Sequence, residues 1–421
     1  MRHQHHGQPP ARRGPVPAAV LAVAVVVLVA AWTFKSHCYL DGGWSGGEQY
    51  ITGCYTDVVP FWTARDVATG AVPYVDTALE YPVLTGAQIW IEGAVSRALV
   101  GPGGSALAFL ATVTAVNAAL AVGILVLLHR MGVPTRRLWW WALAPPLVLY
   151  LGHNWDLLAM AFMVAAIDQH RRSNATAAGA AVGLGAAAKL FPALLLPLLL
   201  LTSARARDWH ASARTLGGAA VAWLLVNLPV ALAAPRRWAE FYTFSQQRLG
   251  TFAASWTVVD ELGVLSTSLE QRNLGGTVLF AIGGAVIVWA GWRRHAGREW
   301  LLLTPLLAWF LLTNKVYSPQ FDLWLVPLLV LTVRRTWPLA AFMGADLLVY
   351  WAEFWYLGWR LGVSPSAPYP VLAGAAVLRG MVLLAVIVLA VRDQPPGWLV
   401  PSSDDVVDRG TAAAAVGADS R

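Results

Sequence analysis

The chain has 421 residues, 57% of them hydrophobic and only 13% charged, about half the charge expected of a soluble protein of this size. That balance excludes a water-soluble globular enzyme and indicates an integral membrane protein. The formal net charge of +7 does not imply nucleic acid, because the arginines stand in short doublets between apolar runs, the pattern of topology determinants.

Taken in chain order, a short tail (1–15) carries His3, His5 and His6, which read as incidental rather than metal-binding, followed by Arg12 and Arg13. The first apolar run, Val16–Phe34, is longer than a signal-peptide core and lacks a small-x-small cleavage site, so it reads as an uncleaved helix entered from the cytoplasm. Further helices are expected at about 105–128, 138–151, 156–169, 174–188, 190–203, 214–234, 274–292, 300–313, 320–333, 337–355 and 370–391. About 20 apolar residues cross a hydrocarbon layer of ~30 Å. The shorter stretches 138–151 and 190–203 are therefore candidates for broken or re-entrant helices. In this register Arg130, Arg136, Arg137, Arg171, Arg172, Arg205, Arg207, Arg293, Arg294, Arg298, Arg334, Arg335 and Arg392 all fall on the cytoplasmic side.

The segment Val83–Leu99 decides that register. As a span it would invert everything after it and would place Glu92 and Arg97 in lipid, at ~2.5–3.5 kcal/mol each. It is read instead as an amphipathic helix on the outer surface. The expected class is an all-α polytopic membrane protein of about twelve transmembrane helices. One domain spans 16–392, with long outer loops 35–104 and 235–273 and a disordered cytoplasmic tail, 393–421. No strand alternation of the outer-membrane-barrel kind is present.

With this threading the polar residues gather at one face. Cys38 and Cys54, the only cysteines, share the first outer loop, where a bridge would close about 15 residues and contribute ~3 kcal/mol of chain restriction. Asp57 follows in Tyr-Thr-Asp as a candidate general base, or as an ordinary helix cap. Glu80 starts the surface helix. His153-Asn154-Trp155-Asp156 is either a plain turn or a polar site at the membrane boundary. Lys189 and Lys315 are two of only three lysines among 30 basic residues, both at helix corners followed by proline. A compact ammonium there suits a phosphate, the alternative being a side chain that snorkels. Tyr317, Gln320 and Asp322 surround Lys315, and Arg236 and Arg237 in the second loop break the positive-inside bias, as an anion site would. Nucleotide-binding, CxxC and HExxH signatures are absent, so neither a metal nor a cofactor is expected.

These stretches together resemble a known family. Tyr-Thr-Asp, Glu-Tyr-Pro-Val-Leu, Gly-His-Asn-Trp-Asp, Ala-Ala-Lys-Leu-Phe-Pro and Asn-Lys-Val-Tyr-Ser-Pro-Gln-Phe are similar to actinobacterial membrane glycosyltransferases of family 87, in the GT-C superfamily, which use polyprenol-phosphate-mannose. The resemblance implies a GT-C-like bundle with its site on the extracytoplasmic face of the cell membrane. It also implies a polyprenyl-phosphate-sugar donor, a glycolipid or glycan acceptor and an inverting transfer. Asp57 would be the base, with Asp66, Asp76 and Glu80 as competitors. Lys189, Lys315, Arg236 and Arg237 would meet the donor phosphate, and Glu80, His153, Asn154, Asp156, Tyr317 and Gln320 the sugar or acceptor. A secondary transporter or lipid flippase is the rival from another class, but no inverted repeat shows. A non-catalytic partner in an envelope-synthesis complex is the third reading.

Overall fold

The computed structural model describes residues 14–40, 44–101 and 105–400. The N-terminal histidines and most of the expected C-terminal tail lie outside these residues. Among the described residues every regular element is helical, apart from one isolated bridge between Pro73 and Thr77. Each of the twelve expected segments is matched by helix. Among the described residues five helices have the length and composition to cross a membrane: Ala18–Leu40, Ala106–Arg130, Trp209–Ala233, Leu269–Gly291 and Tyr369–Arg392. Their outward residues, such as Leu225, Leu232, Leu274 and Trp289, are large and apolar. That is the surface lipid requires when every backbone polar group is already paired within the helix.

The first helix departs from expectation. It runs to Leu40 rather than ending near Phe34, so Lys35 belongs to it and not to the loop. The reason is local: the Lys35 ammonium is fully buried and finds its acceptors inside the protein, so the helix has no need to end at water. Cys38, one turn further on, is bonded to Cys54, with Cα atoms 6.3 Å apart. The expected disulfide is therefore present.

Other spans are interrupted, each for a legible reason. The stretch expected at 138–151 divides into Thr135–Ala142 and Pro145–Tyr150, because Pro145 and Pro146 cannot continue the preceding helix. Helix Ala175–Ala188 stops at Lys189, whose backbone is extended, and a short 3₁₀ turn, Phe191–Leu194, leads into Leu195–Arg205. Leu303–Thr313 stops at Asn314, and Pro319–Phe321 leads into Asp322–Thr332.

The surface helix is Val83–Val100, and its polar residues turn inward. Glu92 is buried and accepts from Trp155 Nε1 and Gln88 Nε2, both at 2.8 Å, while Arg97 reaches the Val67 carbonyl at 2.5 Å. Trp90, Ile91, Val95 and Leu99 are left exposed, an apolar face of the kind lipid covers.

The Lys189 corner is positioned by backbone contact. A Cβ at Gly179 would lie 2.0 Å from the Thr215 carbonyl oxygen, and one at Gly183 2.3 Å from that of Ala219. Glycines four residues apart thus let Ala175–Ala188 lie directly on Trp209–Ala233. We expect Gly179→Val and Gly183→Val each to destabilise the fold by at least ~1–3 kcal/mol. Gly217→Ala, facing open space, should be neutral or slightly stabilising. Thermal unfolding in detergent checks all three.

Candidate active site

A cavity of about 640 Å³ opens where the interrupted segments meet. Of the residues singled out in the sequence, Asp57, Glu80, His153, Lys189 and Gln320 line it, drawn from five separated stretches of chain. Arg248 and Glu353 join them, and Phe191, Phe241, Phe244, Phe310 and Phe321 supply an aromatic lining.

Asp57 occupies the N-cap position of the short helix Val58–Ala64, yet its side chain makes no capping bond. Thr56 does that work. Its hydroxyl accepts from the Val58 amide at 3.0 Å and donates to the Gly152 carbonyl at 2.6 Å. The Asp57 amide donates to the His153 carbonyl at 2.9 Å. The backbone is thus pinned to the 152–153 turn, leaving a carboxylate 26% exposed towards the cavity. Burial raises its pKa to about 6, against the hydrogen bond from Tyr55 and the charge of Lys189. His153 Nε2 stands 3.9 Å from Asp57 Oδ2, beyond hydrogen-bond range. Burial, reinforced by the charges of Lys35 and Lys189, holds that imidazole well below its usual range and therefore neutral at pH 7.

The competing carboxylates are engaged elsewhere. Glu80 is held by Arg65 through two bonds of 2.9 Å, the bidentate geometry that ties up both oxygens. Asp76 Oδ2 closes a turn by accepting from the Val72 amide at 2.8 Å, and Asp66 lies outside the lining.

Lys189 pairs with Asp156 and stands over the rings of Phe321 and Trp324, 4.8 and 5.1 Å from their centroids. The other Asp156 oxygen accepts from Trp324 Nε1 at 2.7 Å. Asp156 and Asn154 therefore sit behind the wall rather than on it. Asn154 Oδ1 accepts from the Asp156 amide at 3.0 Å, which is the plain turn role.

Around Lys315 the arrangement also differs from expectation. Its ammonium donates to the Gln246 carbonyl at 2.7 Å and is not part of the lining. Burial lowers its pKa, with the charges of Arg248 and Arg272 adding to the effect. It therefore fastens the second long loop, which brings Phe241, Phe244 and Arg248 to the cavity. Tyr317 is buried, donates to Asp322, and lies under the Arg379 guanidinium at 3.6 Å. Arg379 pairs in turn with Asp322 at 3.0 Å, both side chains almost fully buried. Tyr317 is thereby kept from the cavity. Arg236 and Arg237 are exposed in the turn Pro235–Trp238 and do not line it either.

Two residues passed over in the sequence matter here. Lys35 Nζ donates to the carbonyls of Gly53 at 3.1 Å and Tyr55 at 2.7 Å and meets the Tyr350 hydroxyl at 2.6 Å. It thus anchors the loop that ends in Asp57. Glu353 enters from the helix Trp337–Arg360. Both are ionisable groups inside apolar runs, a signal that was available. The one His/Cys/acid cluster found among the described residues, His37 with Cys38 and Cys54, has its sulfurs committed to the disulfide.

Residues 94–319 match the family model described as glycosyltransferase family 87. No curated protein matches the chain. Among solved structures it is similar to ArnT from Cupriavidus metallidurans bound to undecaprenyl phosphate. The identity is 16% and the TM-score 0.44, covering 88% of this chain and 76% of that one. It is also similar to the archaeal oligosaccharyltransferase AglB from Archaeoglobus fulgidus in complex with an inhibitory peptide and a dolichol-phosphate. There the identity is 12% and the TM-score 0.36, covering 90% of this chain and 56% of that one.

Lys35→Met removes a cation that lies outside the cavity lining and leaves the Tyr55 carbonyl without this donor, at ~1–3 kcal/mol, while the Gly53 carbonyl still accepts from the Tyr350 hydroxyl. Reduced thermal stability together with slower turnover is the expected result. Unchanged stability would show that the loop is held by other contacts.

Proposed function

We propose that this chain, which belongs to glycosyltransferase family 87, moves a hexose, mannose in the first instance, from a polyprenyl-phosphate donor to an envelope glycolipid or glycan acceptor. The transfer takes place on the extracytoplasmic face of the cell membrane, with inversion at the anomeric carbon. The observation that carries the reading is Asp57: of the first-loop carboxylates considered, it alone lines the cavity without a cation clamped to it.

The chemistry follows from that placement. The Asp57 carboxylate takes the proton of an acceptor hydroxyl as its oxygen attacks the anomeric carbon. The bond from that carbon to the phosphate oxygen breaks, and polyprenyl phosphate leaves with the electron pair. A phosphate leaves without help from a strong acid, so one carboxylate suffices, unlike the pair a glycosidase needs.

The leaving phosphate calls for positive charge. Arg65 with Glu80 and Lys189 with Asp156 are internally balanced pairs. Arg248 lines the cavity with no ion-pair partner among the described residues. It is therefore the group best suited to the developing charge, with Lys189 beside it. The aromatic lining offers surface to the first isoprene units of the lipid. The disulfide fits an oxidising compartment, which agrees with a site outside the cytoplasm.

The test is transfer from radiolabelled decaprenyl-phosphate-mannose, and from its glucose counterpart, to membrane acceptor lipids. Asp57→Asn should lower the rate ~10²–10⁴-fold while leaving donor binding in place. Its thermal stability at pH 7 should be equal or higher, since a carboxyl whose pKa is raised from 3.8 to about 6 by folding makes the wild type lose stability as pH rises from about 4 to about 6, a loss then fully present above pH 6. For the same reason wild-type transfer should fall about tenfold per pH unit below pH 6 and stay level above it. Arg248→Ala should cost ~10²–10³-fold in kcat, as loss of a transition-state donor does. Failure of wild type to transfer from any polyprenyl-phosphate sugar would refute the proposal.

A further inference from the structure

Glu353 shares the cavity with Asp57 but has no part in the transfer as derived above. It stands on the helix Trp337–Arg360, close to the other end of the chain and outside the residues matched by the family model. Only 7% of the residue is exposed, and its Oε2 atom, although buried, has no hydrogen-bond partner among the described residues. A buried carboxylate oxygen without a donor is costly, and buried acceptors are almost always satisfied by something. Neighbouring acids are satisfied from within the protein: Glu80 by Arg65, Asp156 by Lys189 and Trp324, Asp322 by Arg379 and Tyr317. Asp346, on the same helix, also leaves one oxygen without a donor, but its other oxygen accepts from the Tyr150 hydroxyl and it lies outside the lining, whereas Glu353 lines the space a substrate would fill.

The surroundings narrow the class of ligand. The next residue, Phe354, lies 5.6 Å from the Tyr55 ring and 6.3 Å from the His153 ring, so an aromatic wall joins Glu353 to the segment bearing Asp57. Carboxylate acceptors next to aromatic faces suit a ring carrying several hydroxyls, whose O–H groups donate and whose C–H face stacks.

We propose that Glu353 is a sugar-hydroxyl acceptor, binding the glycosyl unit presented to Asp57 and setting which hydroxyl pattern the cavity admits. The proposal rests on the glycosyltransferase reading. The glycosyl unit has two possible sources, the donor sugar and a sugar of the acceptor, with the same chemistry at Glu353.

The experiment uses the full chain in nanodiscs, as wild type, Glu353→Gln and Glu353→Leu. Each is titrated with decaprenyl phosphate, decaprenyl-phosphate-mannose and decaprenyl-phosphate-glucose, and each is assayed for transfer to membrane glycolipids over a range of acceptor concentrations. Binding of bare decaprenyl phosphate within twofold of wild type reports an intact fold. If the donor supplies the sugar, Glu353→Leu weakens the preferred glycosylated lipid about tenfold to a hundredfold, as loss of a hydrogen bond to a charged group does. Glu353→Gln then falls between, since an amide oxygen still accepts. If the acceptor supplies it, donor binding is unchanged and the acceptor KM rises by a similar factor. Equal loss of bare and glycosylated lipid, or no change in either donor affinity or acceptor KM, overturns the inference while leaving the enzyme reading intact. A wild type that binds no polyprenyl lipid and transfers no sugar overturns both.

Discussion

Lys35 lies on the first helix where that helix passes beneath the loop that carries Asp57. Its ammonium is enclosed and shared among two loop carbonyls and the Tyr350 hydroxyl. An enclosed ammonium cannot be left without acceptors, so wherever it sits the chain must bring oxygen to it. Here the oxygens come from Gly53 and Tyr55, within four residues of Asp57. The disulfide acts at the same point, tying the turn of helix after Lys35 to Cys54. Together they fix a loop that would otherwise be free to move, and they hold its carboxylate against the 152–153 turn.

The cavity is then an exercise in charge balance. Lys189 is matched by Asp156 and Arg65 by Glu80, while Lys35 lends its charge to Asp57 from behind. Two groups are left over, Arg248 and Glu353. Such leftovers are the groups a ligand would complete, and the sugar phosphate proposed above would bring both an anion and a set of hydroxyl donors. Lys315, outside the lining, holds Gln246 two residues before Arg248.

Much of this is legible in the amino-acid sequence. Hydropathy located all twelve helical segments, and shortness singled out 138–151 and 190–203 as candidates to be broken; Pro145 and Pro192 stand at those breaks in the structure. Tyr-Thr-Asp and Ala-Ala-Lys-Leu-Phe-Pro pointed to Asp57 and Lys189. What could not be read was which of several like residues faces the cavity. Glu80 and Asp57 look equivalent until Arg65 is seen clamping one of them, and Arg236, Arg237 and Arg248 differ only in where a surface turn happens to aim them. Lys35 was hidden for another reason. Its acceptors come from loop carbonyls and from a tyrosine far along the chain, and no local pattern announces such a partner.

That distance has a consequence for how the protein comes into being. Lys35 and Tyr350 are separated by 315 positions, and they meet only when the late helix Trp337–Arg360 has docked against the first. A nascent chain halted after the middle helices would already carry Asp57, Lys189 and Arg248, yet its loop would lack the final tether. The last tether of the Asp57 loop therefore closes only when this late helix has docked, so an incompletely assembled chain holds that loop less firmly than the finished one.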